Sequence, residues 1–132
     1  VLLPDSSVPL FVYGSLRPGG ELWPDISDHV ITSHRATVAG RLHWHAGGEW
    51  PVLLPAASDT DRVHGELLSL RPGVEVNRII VDEEIRYGYD VRWMPARTAD
   101  GELESLVFVW NRTEDVGNRI VSGDYADVMR DS

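Results

Sequence analysis

The sequence predicts a small mixed α+β domain: a curled sheet or small mixed β-barrel carrying a few short helices. Three observations predict it. Apolar residues recur mostly with a period of two rather than 3.6. Six or so such segments are short and bounded by Gly, Pro or Asp clusters. Only one stretch, Val74 to about Ile85, holds apolar residues (Val76, Ile79, Ile80) at helical spacing. With 132 residues and no linker, repeat or low-complexity stretch, the whole chain, 1–132, reads as a single domain. A chain of this size buries about two-thirds of its unfolded surface and needs no covalent staple.

The elements follow in order. Pro9–Tyr13 is a short apolar run stopped by Gly14, as a buried strand running into a turn would be. Arg17-Pro18-Gly19-Gly20 extends that turn into a loop. Asp25–Val30 fits one short helical turn with Leu22, Trp23 and Ile26 as its apolar side. Ala36–Trp44 alternates until Gly47-Gly48 breaks it, and Val52-Leu53-Leu54 is a short apolar segment between prolines. Val63–Leu70 reads as a strand closed by Arg71-Pro72-Gly73. After the helix, Tyr87–Trp93 alternates again, and Asp100-Gly101 signals a two-residue hairpin into Leu103–Trp110. Arg119–Arg130 is a weakly helical tail.

Composition narrows the function classes. There is no cysteine, which excludes disulfides, thiolate metal sites and thiol nucleophiles. Twenty-one acidic against twelve basic residues leave a net charge of −9, and the basic residues are all arginines, scattered singly. Neutralising a phosphate backbone needs a clustered basic face, so neither nucleic acid nor an anionic membrane is an expected partner. No apolar run approaches the ~20 residues of a membrane span, and Val1–Leu10 has no basic start of a signal peptide. The expectation is a cytoplasmic protein; the five tryptophans leave its oligomeric state open.

Two stretches could carry chemistry. In Tyr13-Gly14-Ser15-Leu16 a strand ends beside a glycine, so successive backbone amides can turn into one concavity and cradle an anion such as a carboxylate. An ordinary strand–turn junction has the same composition. Ser15 lacks the Gly-x-Ser-x-Gly context of an activated nucleophile and reads as a binding residue. The second stretch is Asp82-Glu83-Glu84, at the end of the helical pattern. Extending the period puts positions 83 and 84 on or beside the buried face. A carboxylate there would be desolvated and could serve as a general base near neutral pH, whereas a solvated acidic helix end would do nothing. Periodicity does not choose between Glu83 and Glu84. His43-x-His45 with His64 could supply three imidazoles, but nothing in the spacing demands a metal, and none is expected.

The run Phe11-Val12-Tyr13-Gly14-Ser15-Leu16-Arg17-Pro18-Gly19 resembles the opening strand and loop of the gamma-glutamylcyclotransferase-like superfamily. Ala39-Gly40-Arg41-Leu42, Gly47-Gly48-Glu49-Trp50-Pro51-Val52-Leu53, Val63-His64-Gly65-Glu66-Leu67 and Glu84-Ile85-Arg86-Tyr87-Gly88-Tyr89 are similar to later family segments, in the family's order. The resemblance implies cyclisation of a γ-glutamyl amine or amino acid to 5-oxoproline with release of the amine, and no cofactor. It implies Glu84 as the catalytic acid–base group and Tyr13, Gly14, Ser15, Leu16, Tyr89 and Tyr125 as substrate-binding residues. Asp82 precedes Glu84 by two positions where many members have three, and Ile85 stands where glycine often follows. Those departures keep a second reading open: a non-catalytic barrel that binds a small carboxylate-bearing ligand or a protein partner. Another amine-transfer or ring-forming reaction in the same pocket is a third.

Overall fold

The computed structural model of the chain describes residues 9–48, 50–71, 85–110, 112 and 114–129. Eight strands are formed among them: β1 (Leu10–Val12), β2 (Val30–Ala39), β3 (Arg41–His45), β4 (Pro51–Leu54), β5 (Arg62–Leu70), β6 (Asp90–Thr98), β7 (Gly101–Val109) and β8 (Val116–Arg119). The helices are short: α1 (Trp23–Ile26), continued by a 3₁₀ turn over Ser27–His29, and α2 (Tyr125–Met129). Five strands close a barrel in the order β1-β5-β2-β6-β7. A second sheet has the order β4-β3-β8. The predicted α+β architecture with a closed sheet is therefore what forms.

Closure rests on β1. Its three residues pair antiparallel with β5 (Phe11 opposite Leu67) and parallel with β7 (Phe11 opposite Val107). All three are buried, as a strand paired on both edges and covered on both faces must be. The longer strands alternate instead: Ala36 and Val38 of β2 point into the core while Arg35 and Ala39 face solvent. Two apolar clusters result. One gathers Val12, Val52, Leu54, Tyr89, Phe108 and Trp110; the other gathers Phe11, Tyr13, Val38, Leu42, Leu53, Val63 and Val107. Tyr13 and Val12 thus send their side chains to different clusters, following the strand period.

Several boundaries differ from the sequence reading, each for a local reason. The segment read as one alternating strand, Ala36–Trp44, is two strands in two sheets. The chain leaves the barrel at Gly40, whose amide donates to the carbonyl of Asp61 (3.1 Å), and pairs next with β4. β2 also starts earlier than the alternation suggests, because Val30–Arg35 pair with β5 while remaining largely exposed. The helical turn expected at Asp25–Val30 starts at Trp23, with Pro24 in its first turn. Tyr87 and Gly88 belong to a turn rather than to β6. Gly88 has φ +103° and donates its amide to the carbonyl of Ile85 (3.0 Å). The tail read as helical over Arg119–Arg130 starts on the last residue of β8, which pairs with β3, and among its described residues only Tyr125–Met129 is helical. A two-residue hairpin forms, one position earlier than Asp100-Gly101 suggests: Thr98 pairs with Gly101, which opens β7, and Ala99 and Asp100 make the turn. The helix expected over Val74–Ile85 lies outside the described residues except for Ile85, which is helical.

One glycine is required by the barrel's tightness. At Gly65, in the middle of β5, a Cβ would stand 2.2 Å from the Val12 carbonyl oxygen and 2.7 Å from the Phe11 ring. Gly65→Ala should therefore destabilise the fold by roughly 1–3 kcal/mol, the usual range for overpacking. Chemical denaturation measures this; a variant as stable as the parent would show that β1 and β5 are not this close.

Candidate functional site

A cavity of about 340 Å³ opens where β1 ends. Val12, Tyr13, Gly14, Ser15 and Leu16 supply one wall. Trp50 and Pro51, at the start of β4, supply a second, and Tyr87, Tyr89 and Phe108 a third, with Leu22 at its side. The volume lies at the small end of the roughly 300–1,000 Å³ range of ligand pockets. Among the described residues no charged side chain lines it.

Local folding explains the wall at residues 13–16. β1 cannot continue past Val12, because Gly14–Gly20 folds back on itself. Arg17 donates its amide to the Gly14 carbonyl (3.1 Å), Gly20 to Arg17 (2.7 Å) and Leu22 to Ser15 (2.9 Å). Gly20 is needed for this closure, since a Cβ there would sit 2.3 Å from the Ser15 carbonyl oxygen. The amides of Gly14, Ser15 and Leu16 donate to no acceptor among the described residues. They are consecutive, lie beside the cavity and belong to half-buried residues. Such a run of free donors suits an anion.

Two tyrosines are fixed by their hydroxyls. Tyr13 donates to the Phe108 carbonyl and Tyr89 to the Pro51 carbonyl, each at 2.6 Å. Both are buried, so the bonds hold the rings against the cavity with the hydroxyl protons committed to the backbone. Tyr89 also meets Trp110 edge-on (5.1 Å between centroids), and Trp110 meets His45, whose ring stacks on Trp50 at 4.4 Å. The Trp50 wall is thus backed by a continuous aromatic layer.

Arg17 secures the loop from outside the cavity. Its side chain is only 10% exposed and makes three short bonds. It donates twice to Glu66 (2.6 and 3.1 Å) and once to Asp124 (2.6 Å). Burial alone would lower the guanidinium pKa, but the bonds to Glu66 and Asp124 outweigh it and raise it. Asp124 shows the reverse balance. Burial works against its charge, yet the bonds from Arg17 and the Ala126 amide leave its pKa lowered. The Arg17 side chain thereby joins the cavity loop to β5 and to the segment entering α2.

Of the residues singled out in the sequence, Tyr13, Gly14, Ser15, Leu16 and Tyr89 meet in this one cavity. Tyr125 is placed elsewhere: it packs edge-on against Trp44 (5.6 Å) in the other apolar cluster and does not line the cavity. Burial, with a smaller contribution from the charge of Glu21, raises its pKa. Glu83 and Glu84 lie outside the described residues. Among the described residues no set of three metal-ligating side chains is gathered. His43 contacts the Gly117 carbonyl (3.1 Å), and His45 is occupied by its stack. Sequence reasoning missed Arg17 as a structural anchor, because its partners are 49 and 107 positions away. It also missed Phe108 and Leu22 as cavity walls. Trp50-Pro51 was visible only as part of a motif.

A family model described as gamma-glutamyl cyclotransferase, AIG2-like, matches residues 10–127. No individually curated protein is matched by the sequence. Solved structures share the fold. YkqA from Bacillus subtilis superimposes with a TM-score of 0.72 at 22% identity over 95% of this chain, which spans only 43% of that protein. An uncharacterised protein from Pyrococcus horikoshii gives 0.68 at 21% identity over 95% of both chains. An AIG2-like protein from Mus musculus gives 0.66 at 18% identity over 79% of this chain and 77% of that one.

Removing Arg17 would leave two carboxylates without their cation. Arg17→Ala should lower stability by about 3–5 kcal/mol, as loss of one partner of a buried ion pair does. Chemical denaturation tests this, and a loss under 1 kcal/mol would mean the bonds are solvent-screened. The depressed pKa of Asp124 carries a pH signature. Its share of stability is present above the unfolded value of about 3.9 and is lost as pH falls below it towards the folded pKa. The raised Arg17 pKa keeps its share intact until strongly alkaline pH. Asp124→Asn should thus be less stable at pH 7 and lose less on acidification below pH 4 than the parent. Parallel acid-unfolding curves for the two would contradict it.

Proposed function

This chain belongs to the gamma-glutamyl cyclotransferase, AIG2-like family, and from that membership we propose that it cyclises a γ-glutamyl amine or γ-glutamyl amino acid to 5-oxoproline. The observation that carries the reading is the convergence, in one cavity, of the amide run at Gly14–Leu16 with Tyr13 and Tyr89.

In this proposal the substrate's α-carboxylate sits on the amides of Gly14, Ser15 and Leu16, with the Ser15 hydroxyl beside them. The uncharged remainder of the cavity accepts the γ-carbonyl and the first atoms of the leaving group. The α-amine, once deprotonated, attacks the γ-carbonyl carbon. A C–N bond forms, closing the five-membered lactam. The bond from that carbon to the leaving nitrogen then breaks, and a proton passes to that nitrogen. One carboxylate that first takes the amine's proton and later returns it balances the reaction without a cofactor. We assign this role to Glu84, which directly precedes the Ile85–Tyr89 segment whose tyrosines line the cavity. That assignment would also give the cavity an acid–base group, since among the described residues no carboxylate, imidazole or guanidinium side chain lines it.

Tyr13 and Tyr89 are assigned as walls rather than proton donors, their hydroxyl protons being held by carbonyls. Their contribution is orientation. Holding amine and carbonyl in a near-attack pose is worth as much as ~7–11 kcal/mol in intramolecular models.

The test is 5-oxoproline release from a panel of γ-glutamyl amines and amino acids. We expect turnover by the parent chain and a loss of about 10²–10⁴-fold in kcat for Glu84→Gln, with Glu83→Gln close to the parent. Tyr89→Phe, which frees the Pro51 carbonyl but keeps the ring, should reduce kcat less than Glu84→Gln. Saturable binding of the substrates with no product from the parent would replace this reading by the non-catalytic barrel. Full activity in Glu84→Gln would remove the assigned role.

A further inference from the structure

A second concavity, of about 150 Å³, lies on the outer face of the barrel over β2, β5 and β6. The register builds it. Thr37 stands opposite His64 on one side and Arg97 on the other, and Arg35 is two residues along β2 on the same face. Ala36 and Val38, between and beyond them, point into the core. Arg35, Thr37, His64 and Arg97 therefore all project outward around one hollow. Arg17 and Asp124 also line it.

The charges in this hollow are unevenly matched. Two of the three nearby carboxylates, Glu66 and Asp124, already bond to Arg17 at 2.6 Å. Among the described residues the third, Glu102, is the one ion-pair partner of Arg97, at 3.9 Å with both side chains more than half exposed. Arg35 makes no ion pair among the described residues. Arg62, next along the face, spends its guanidinium on the Thr37 hydroxyl and carbonyl. Its pKa is lowered by burial and then by the positive charge of Arg97, with Glu102 opposing. Four of the twelve arginines of a chain with net charge −9 thus converge on one small face.

We propose that the hollow between Arg35, His64 and Arg97 is a binding site for a small oxyanion, of the phosphate monoester class. Guanidinium groups reaching in from two strands offer forked donors that match a tetrahedral oxyanion, and His64 adds a ring N–H. The volume is below that of pockets that enclose whole ligands, so the site takes a charged head group and leaves the rest of the molecule in solvent. A polyanion is disfavoured, because the negative charge of the whole chain would repel its neighbouring phosphates. The site does not depend on the activity proposed above.

The probe is inorganic phosphate titrated into the protein at constant ionic strength and followed by amide NMR, with acetate and chloride as controls. We expect saturable shifts at Thr37, His64, Gly65 and Arg97 with phosphate only. Arg35→Gln and Arg97→Gln should each weaken phosphate binding at least tenfold. Glu102→Gln, which removes the competing carboxylate, should strengthen it severalfold. Equal shifts with chloride, or an unchanged dissociation constant in the Arg35→Gln/Arg97→Gln double variant, would overturn the proposal. Strengthening in Glu102→Gln supports it even if an arginine variant is poorly folded.

Discussion

The ion network of Arg17, Glu66 and Asp124 is the constraint on which the site depends. Its arginine stands in the loop that leaves β1, its first carboxylate in the middle of β5, and its second just before α2. Three distant parts of the chain are tied at one guanidinium that solvent barely reaches. Taking three charges out of water is expensive, and the exchange is favourable only because each bond is short and the fork to Glu66 is double. What the network secures is position. With Arg17 held, Gly14–Gly20 closes on itself, and the amides of residues 14–16, beside the cavity, are left without an acceptor among the described residues.

The barrel supplies the rest of the geometry with little machinery. β1 is three residues long, yet it is paired on both edges and buried on both faces, so the turn that follows it leaves from a rigid base. The second sheet brings Pro51 under the Tyr89 hydroxyl and Trp50 beside the cavity mouth. Unpaired amides on one wall, rings fixed by backbone carbonyls and an uncharged lining suit the proposed substrate, with a carboxylate at one end and a reacting amide at the other. The family to which the chain belongs fits that division. The arginine-rich hollow over β2, β5 and β6 is lined in part by Arg17 and Asp124, so the network that ties down the cavity loop also forms part of that hollow's wall.

Much of this was legible in the sequence, and the failures have physical reasons. β1, β5 and the 98–101 hairpin could be read because alternation and a following Gly, Pro or Asp-Gly are local signals. The amide run at residues 14–16 was legible for the same reason: strand, glycine and turn adjoin in the chain. Gly40 divided one alternating stretch between two sheets, and periodicity does not record which partner a strand chooses. β8 was missed because Val116–Arg119 has little apolar content and is held by pairing with β3. Arg17 looked like one more loop arginine, since its partners lie far along the sequence. Tyr125 was tied to the pocket only through resemblance, and in the fold it packs on Trp44.

The most direct measurement is a crystal structure of the protein with 5-oxoproline bound. We expect the lactam in the cavity between Gly14 and Tyr89, its carboxylate on the amides of Gly14, Ser15 and Leu16, and Glu84 as the carboxylate nearest its ring nitrogen. A product that lodges outside this cavity, or one bound there with its carboxylate turned away from those amides, would contradict the central claim.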